Sequence, residues 1–197
     1  MFQSIFHRGG RWDFKQAFWD AFKVIKLDAQ AMTAVSKDSS ATRMAALFIV
    51  VASFLGSLGS MLFPSYAYRG LVMYRPTLFQ VFEQTFAASL MLIFAVFLVH
   101  FIAVRLFKAR GSFEEFFRVA GYAYIVGILN IYPAFALVSG LWILVVLWKA
   151  LPVVKRMARE KAVLTLVAVL FIFCSLYFFN PLSVGILLSA PNLFLKV

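Results

Sequence analysis

The chain is poor in acid, in cysteine and in histidine. Its 197 residues include eight Asp and Glu, one Cys and two His, and only 14% are charged. A lone cysteine, Cys174, cannot close an intramolecular disulfide, which excludes a disulfide scaffold. Two histidines and one cysteine are too few for a conventional zinc site. There is no HExxH, CxxC, GxGxxG or P-loop pattern and no nucleophile–base arrangement. Neither enzyme chemistry nor a cofactor is therefore expected. The apolar runs also lack the series of acids or histidines that a proton relay needs.

What the chain has in excess is hydrocarbon. Apolar residues make up 63% of it and the mean hydropathy is +0.91, where a soluble domain has about 45–50% apolar residues. Five segments are nearly free of charge: Met44–Phe63, Thr85–Phe107, Phe116–Tyr132, Ala134–Leu151 and Ala162–Phe179. Each meets the roughly 17–25 residues that a helix needs to cross a bilayer. The runs are continuous, without the two-residue alternation of a membrane barrel, so helices are expected. The expected fold is all-α: a polytopic integral membrane protein built as a five-transmembrane-helix bundle.

The nineteen Lys and Arg give a net charge of +11. With five spans, sixteen of them fall on one side, in residues 1–43 and in the connections after the second and fourth spans. Arg69, Arg75 and Lys196 fall on the other. Cytoplasmic segments carry the Lys and Arg excess, so the N-terminus is expected inside and the C-terminus outside. Nucleic acid is the weaker account of this charge, because the basic residues cluster at span ends without interleaved aromatics.

The first long apolar run begins past residue 40, too late for a cleaved signal peptide. Residues 13–34 instead show an apolar stripe of Phe14, Phe18, Phe22, Ile25, Ala29 and Met32 at helical spacing. Lys15, Lys23 and Lys26 lie off that stripe, and Trp12 and Trp19 suit a membrane interface. Such a helix either lies in the cytoplasmic interface against anionic lipid or packs beneath the bundle. Ser36–Thr42 reads as a linker and cap before the first span. Asn180–Pro181 ends the last one, and 182–197 reads as an outer interfacial or re-entrant tail.

Between the second and third spans, Gly111 can close a helix in a left-handed conformation. Ser112 and Glu115 have capping-box spacing, and Glu114 and Arg118 are i,i+4 partners. Arg105 and Arg118 sit where long side chains can snorkel to the surface. Asn130–Ile131–Tyr132–Pro133 reads as a tight outer turn. Ala52, Gly56 and Ser60 recur every four residues in the first span, and Ala123 and Gly127 repeat that spacing in the third. Such stripes let helix backbones approach, either within one chain or between copies or other membrane proteins. His100 is the one ionisable group well inside a span, and with Asn130 it is the candidate polar site. Glu83 and Gln84 read as the first turn of the second span.

Together, Gly111–Ser112–Phe113, Arg118–Val119–Ala120–Gly121–Tyr122, the Pro133 turn, Lys149–Ala150–Leu151 and Arg159–Glu160–Lys161–Ala162 resemble the Yip-one (Ypt-interacting-protein) domain family. The likeness covers roughly residues 44–179 and is nearest to short bacterial inner-membrane members. It implies five spans with a cytoplasmic N-terminus. Eukaryotic members are associated with Rab-type GTPases and membrane shaping. GTPase binding is not carried over, because residues 1–43 have no counterpart of the eukaryotic Asp-Leu-Tyr-Gly-Pro motif. The expected function is a non-enzymatic scaffold or lipid-organising protein. The alternative is a small oligomeric transporter or channel with a polar cavity around His100, Asn130 and the serines of the first span.

Overall fold

The structure is a computed structural model that describes residues 13–63, 65–66 and 73–178. Trp12, Arg69, Lys196 and the tail 182–197 lie outside the described residues. Among the described residues, seven α-helices follow one another: α1 (Phe14–Ile25), α2 (Ala29–Lys37), α3 (Ala41–Leu62), α4 (Leu78–Arg105), α5 (Phe113–Ala123), α6 (Ala136–Lys155) and α7 (Arg159–Phe178). A 3-10 helix, Tyr124–Ile131, continues α5, and a second, Pro133–Phe135, leads into α6. Between α3 and α4, Ser65–Tyr66 pairs antiparallel with Met73–Tyr74. Among the described residues, three helical runs are long and apolar enough to cross a membrane: Ala41–Leu62, Leu78–Arg105 and Pro133–Lys155.

Residues 13–34 do not form one helix. Leu27 takes a left-handed conformation (φ 64°), and the amides of Leu27 and Asp28 bond back to Val24 and Lys23 carbonyls. That is a Schellman closure. Asp28 then caps α2, its carboxylate accepting from the amides of Gln30 and Ala31. The linker is also shorter than Ser36–Thr42: α2 runs to Lys37, Asp38 receives the Ser40 amide and hydroxyl, and α3 starts at Ala41.

The second membrane helix begins earlier than its charge-free run. Thr77 and Gln80 form a capping box, so α4 starts at Leu78, and Glu83 and Gln84 lie past its first turn. At the other end, Lys108 (φ 54°) closes α4, and Gly111, also at positive φ (94°), lies three residues further on. The amides of Lys108 and Ala109 bond to Val104 and Ala103 carbonyls. The expected span at 116–132 is α-helical only to Ala123 and then tightens into the 3-10 helix. The proposed outer turn is two short 3-10 segments with Tyr132 between them.

That tightened run packs on α3 in the same direction. An added Cβ on Gly121 would lie 2.5–2.8 Å from Ala45, and one on Gly127 would lie 3.1 Å from the Ala52 side chain. Toward the far end, Gly56 faces Asn130, and a Cβ on Gly59 would collide with the Ile131 backbone. Small residues here serve as a spacer set. They bring two helices close enough for dispersion contacts between backbones, which matters in lipid because hydrocarbon offers no hydrophobic drive to associate. The buried core continues from this seam through Phe48, Ile49, Phe116, Tyr122, Val146 and Leu151.

Candidate functional site

Lys155, the last residue of α6, is fully buried. Pro152 precedes it by less than a turn, and Arg156 ends the helix in a left-handed conformation (φ 51°). Its Nζ donates to the carbonyls of Gly111 (2.9 Å) and Ser112 (2.6 Å) and lies 2.6 Å from His100 Nδ1. An ammonium has three N–H bonds, and these are three acceptors, provided the neutral imidazole carries its proton on Nε2. The Arg110 amide returns the link by donating to the Lys155 carbonyl (3.0 Å). The connection after α4 is thus stitched to the connection after α6. Gly111 (φ +94°) is obligatory there: an added Cβ would lie 2.8 Å from Glu115 Oε2 and 2.9 Å from the Val154 carbonyl.

Ser112 caps α5 in a reciprocal capping box with Glu115. Three residues on, Arg118 turns inward instead of snorkelling. It is 7% exposed, and its guanidinium donates to Thr42 Oγ1 (2.7 Å), the Ser36 carbonyl (2.7 Å) and Glu114 Oε2 (3.1 Å). One planar fork therefore joins the end of α2, the start of α3 and the first turn of α5. Each partner is met by a different guanidinium nitrogen, Nε, Nη1 and Nη2, so the three partners can stand farther apart than those around a single ammonium.

These two buried cations hold together the end of the molecule that carries the basic residues. Sequence reasoning placed His100 in a polar site but missed its partner Lys155, which is 55 positions away and in another helix. The structure does not bring His100 and Asn130 together. Asn130 accepts from Ser139 at the start of α6, at the far end of the α3 seam. Ser60 donates to the Ser57 carbonyl (2.6 Å) and lies 3.4 Å from Gln84. A cavity of about 160 Å³ lies among α4, α6 and α7, and its lining is apolar apart from Tyr124; His100, Asn130 and the α3 serines do not line it. Among the described residues, no group of His, Cys, Asp and Glu could hold a metal ion.

The N-terminal helix has two faces. Ala17, Ala21 and Val24 are buried and pack toward α5. Phe14, Phe18, Trp19 and Phe22 are exposed, beside exposed Lys15, Lys23 and Lys26. The phenylalanine stripe thus points outward, and the alanines between it make the contact. Phe14 touches Phe48 of α3, and the Trp142 indole of α6 donates to the Ile25 carbonyl (3.2 Å).

The family model of the Yip1 domain matches residues 22–179, so the chain belongs to that family. No curated protein and no solved structure was found to match it.

Proposed function

From membership of the Yip1 domain family we infer that this multi-pass membrane protein is a non-enzymatic scaffold that gathers anionic lipid at its basic face. The observation that carries this reading is the outer face of α1. Four exposed aromatic side chains stand beside three exposed lysines on a helix whose alanine face is docked on the bundle. Aromatic rings at headgroup depth and lysines beside them are the chemistry of an interfacial helix on an anionic membrane. Docking holds that helix in place and frees the aromatic face for lipid.

Five spans support the same placement. The α5 run plus its 3-10 extension has 11 and 8 residues. At about 1.5 and 2.0 Å rise per residue it reaches roughly 32 Å, the depth of a bilayer core. The 20 residues of α7 reach about 30 Å. With five crossings the basic connections lie on the cytoplasmic side of a bacterial inner membrane, with the N-terminus inside and the C-terminus outside.

The test is reconstitution of the full chain in vesicles of phosphatidylcholine with a minor fraction of phosphatidylglycerol, the lipid shell then being extracted in polymer-bounded discs. The wild type should be enriched in phosphatidylglycerol over the bulk, and the K15Q/K23Q/K26Q variant should lose part of that enrichment. A wild-type shell of bulk composition would overturn the reading.

A further inference from the structure

The two connections stitched by Lys155 carry an unusual concentration of positive charge. Arg105 ends α4, Lys108 and Arg110 lie in the connection that follows, and Arg156 and Arg159 flank the turn from α6 into α7. All five are exposed. The hydrogen bond from the Arg110 amide to the Lys155 carbonyl places Arg110 next to Arg156. The acids nearby are Glu115, whose carboxylate is turned back onto the Ser112 amide, Glu114, which pairs with Arg118, and exposed Glu160.

Two of these cations hold left-handed backbone, Lys108 at φ 54° and Arg156 at φ 51°. Glycine or asparagine usually fills such positions, and a long basic side chain there is uncommon. Strained residues persist where the surroundings over-determine them, and they cluster at ligand sites. Here the surroundings are the Lys155 bonds to Gly111 and Ser112. Beneath the charges, α4 and α7 present exposed Phe97, Phe101, Leu164 and Val167. Like charges crowded above an apolar wall are complementary to an amphiphile with an anionic head.

We propose that the stitched connections form a binding site for one anionic glycerophospholipid, with Arg110 and Arg156 on its phosphate, Arg105, Lys108 and Arg159 around the head, and its acyl chains against α4 and α7. This rests on the lipid-gathering reading above but assigns the tightest lipid to a different place, away from α1. The buried Lys155 is a positioning residue: it fixes the two connections and does not reach the lipid.

Native mass spectrometry of the full chain released from phosphatidylcholine–phosphatidylglycerol vesicles tests it. The wild type should keep one phosphatidylglycerol at detergent levels that strip phosphatidylcholine. R110Q/R156Q should lower that retention roughly tenfold or more, since each well-placed cation near an anionic surface is worth about a factor of five. K15Q/K23Q/K26Q should leave the tightly held lipid in place while thinning the looser shell. Melting of each variant in detergent shows whether the fold is intact. R110Q/R156Q carrying the same lipid as wild type would overturn the site while leaving the general reading standing. A wild type with no preference for phosphatidylglycerol would overturn both. Retention of an acidic protein in place of lipid, lost in R110Q/R156Q, would overturn the lipid assignment.

Discussion

The seam between α3 and the α5 run and the basic end of the bundle solve the same problem with opposite means. At the seam, contact comes from leaving side chains out: Gly121 meets Ala45, Gly127 meets Ala52, and Gly59 meets the Ile131 backbone. At the basic end, contact comes from two long side chains, Lys155 and Arg118, that bond carbonyls and hydroxyls of distant segments. The difference follows from what each region has to satisfy. Regular helices inside hydrocarbon bond their own backbones, so all that remains is to bring them close. Connections between helices expose carbonyls and amides with no partner of their own, and burying them requires donors brought from elsewhere.

Substitutions at the two regions should fail differently. The largest effect is expected at Gly121→Leu, where the nearest atoms are the Cβ, Cα and carbonyl oxygen of Ala45, none of which can rotate away. A loss of about 3 kcal/mol or more is expected, the upper range for overpacking. Denaturant titration in mixed micelles should show it, and a wild-type midpoint would mean that the seam is looser than described. Next comes Lys155→Met, which keeps the bulk and removes the charge, leaving two carbonyls and His100 without their donor. About 2–3 kcal/mol should be lost, and proteolysis should begin in residues 106–112. Cleavage appearing first at the seam instead would erase the contrast between the two regions. Arg118→Lys should cost about 1–2 kcal/mol, because one ammonium nitrogen replaces three separate guanidinium nitrogens that each hold a different partner, Thr42, Ser36 and Glu114. The same titration reads it, and Arg118→Gln serves as the reference for complete loss. The smallest effect has the opposite sign. Lys108→Gly should stabilise by about 0.5–1 kcal/mol, since Lys108 is exposed and glycine adopts its left-handed backbone without strain.

The features legible in the sequence are those with a local spacing. Ser112 and Glu115 are three residues apart, and the box they form is present at the start of α5. Ala52 and Gly127 announce themselves by four-residue repeats, although the tightest approach falls at Gly121 and Gly59, outside those repeats. What was not legible is long-range or conformational. No pattern in residues 95–105 points to a lysine 55 positions later. A cation at a helix end ordinarily reads as a solvated cap, and Lys155 is buried only because another connection folds over it. Leu27 and Arg156 take left-handed backbone that their side chains do not advertise, so the break between α1 and α2 had no signature except the capping carboxylate of Asp28. On α1 the phenylalanine stripe faces outward and the alanines between it make the contact. In a protein surrounded by hydrocarbon, large apolar residues need not face the core, and small ones decide where helices touch.

The parallel seam also has a consequence in time. The two helices of the seam run the same way and are separated along the chain by α4, which must be made between them. While a ribosome delivers this protein, the glycines of α3 stay bare through the whole synthesis of α4 and find their match only once Gly127 and Ile131 have emerged. Until then the nascent α3–α4 hairpin carries a notch shaped for another backbone. That notch fills only when the α5 run arrives.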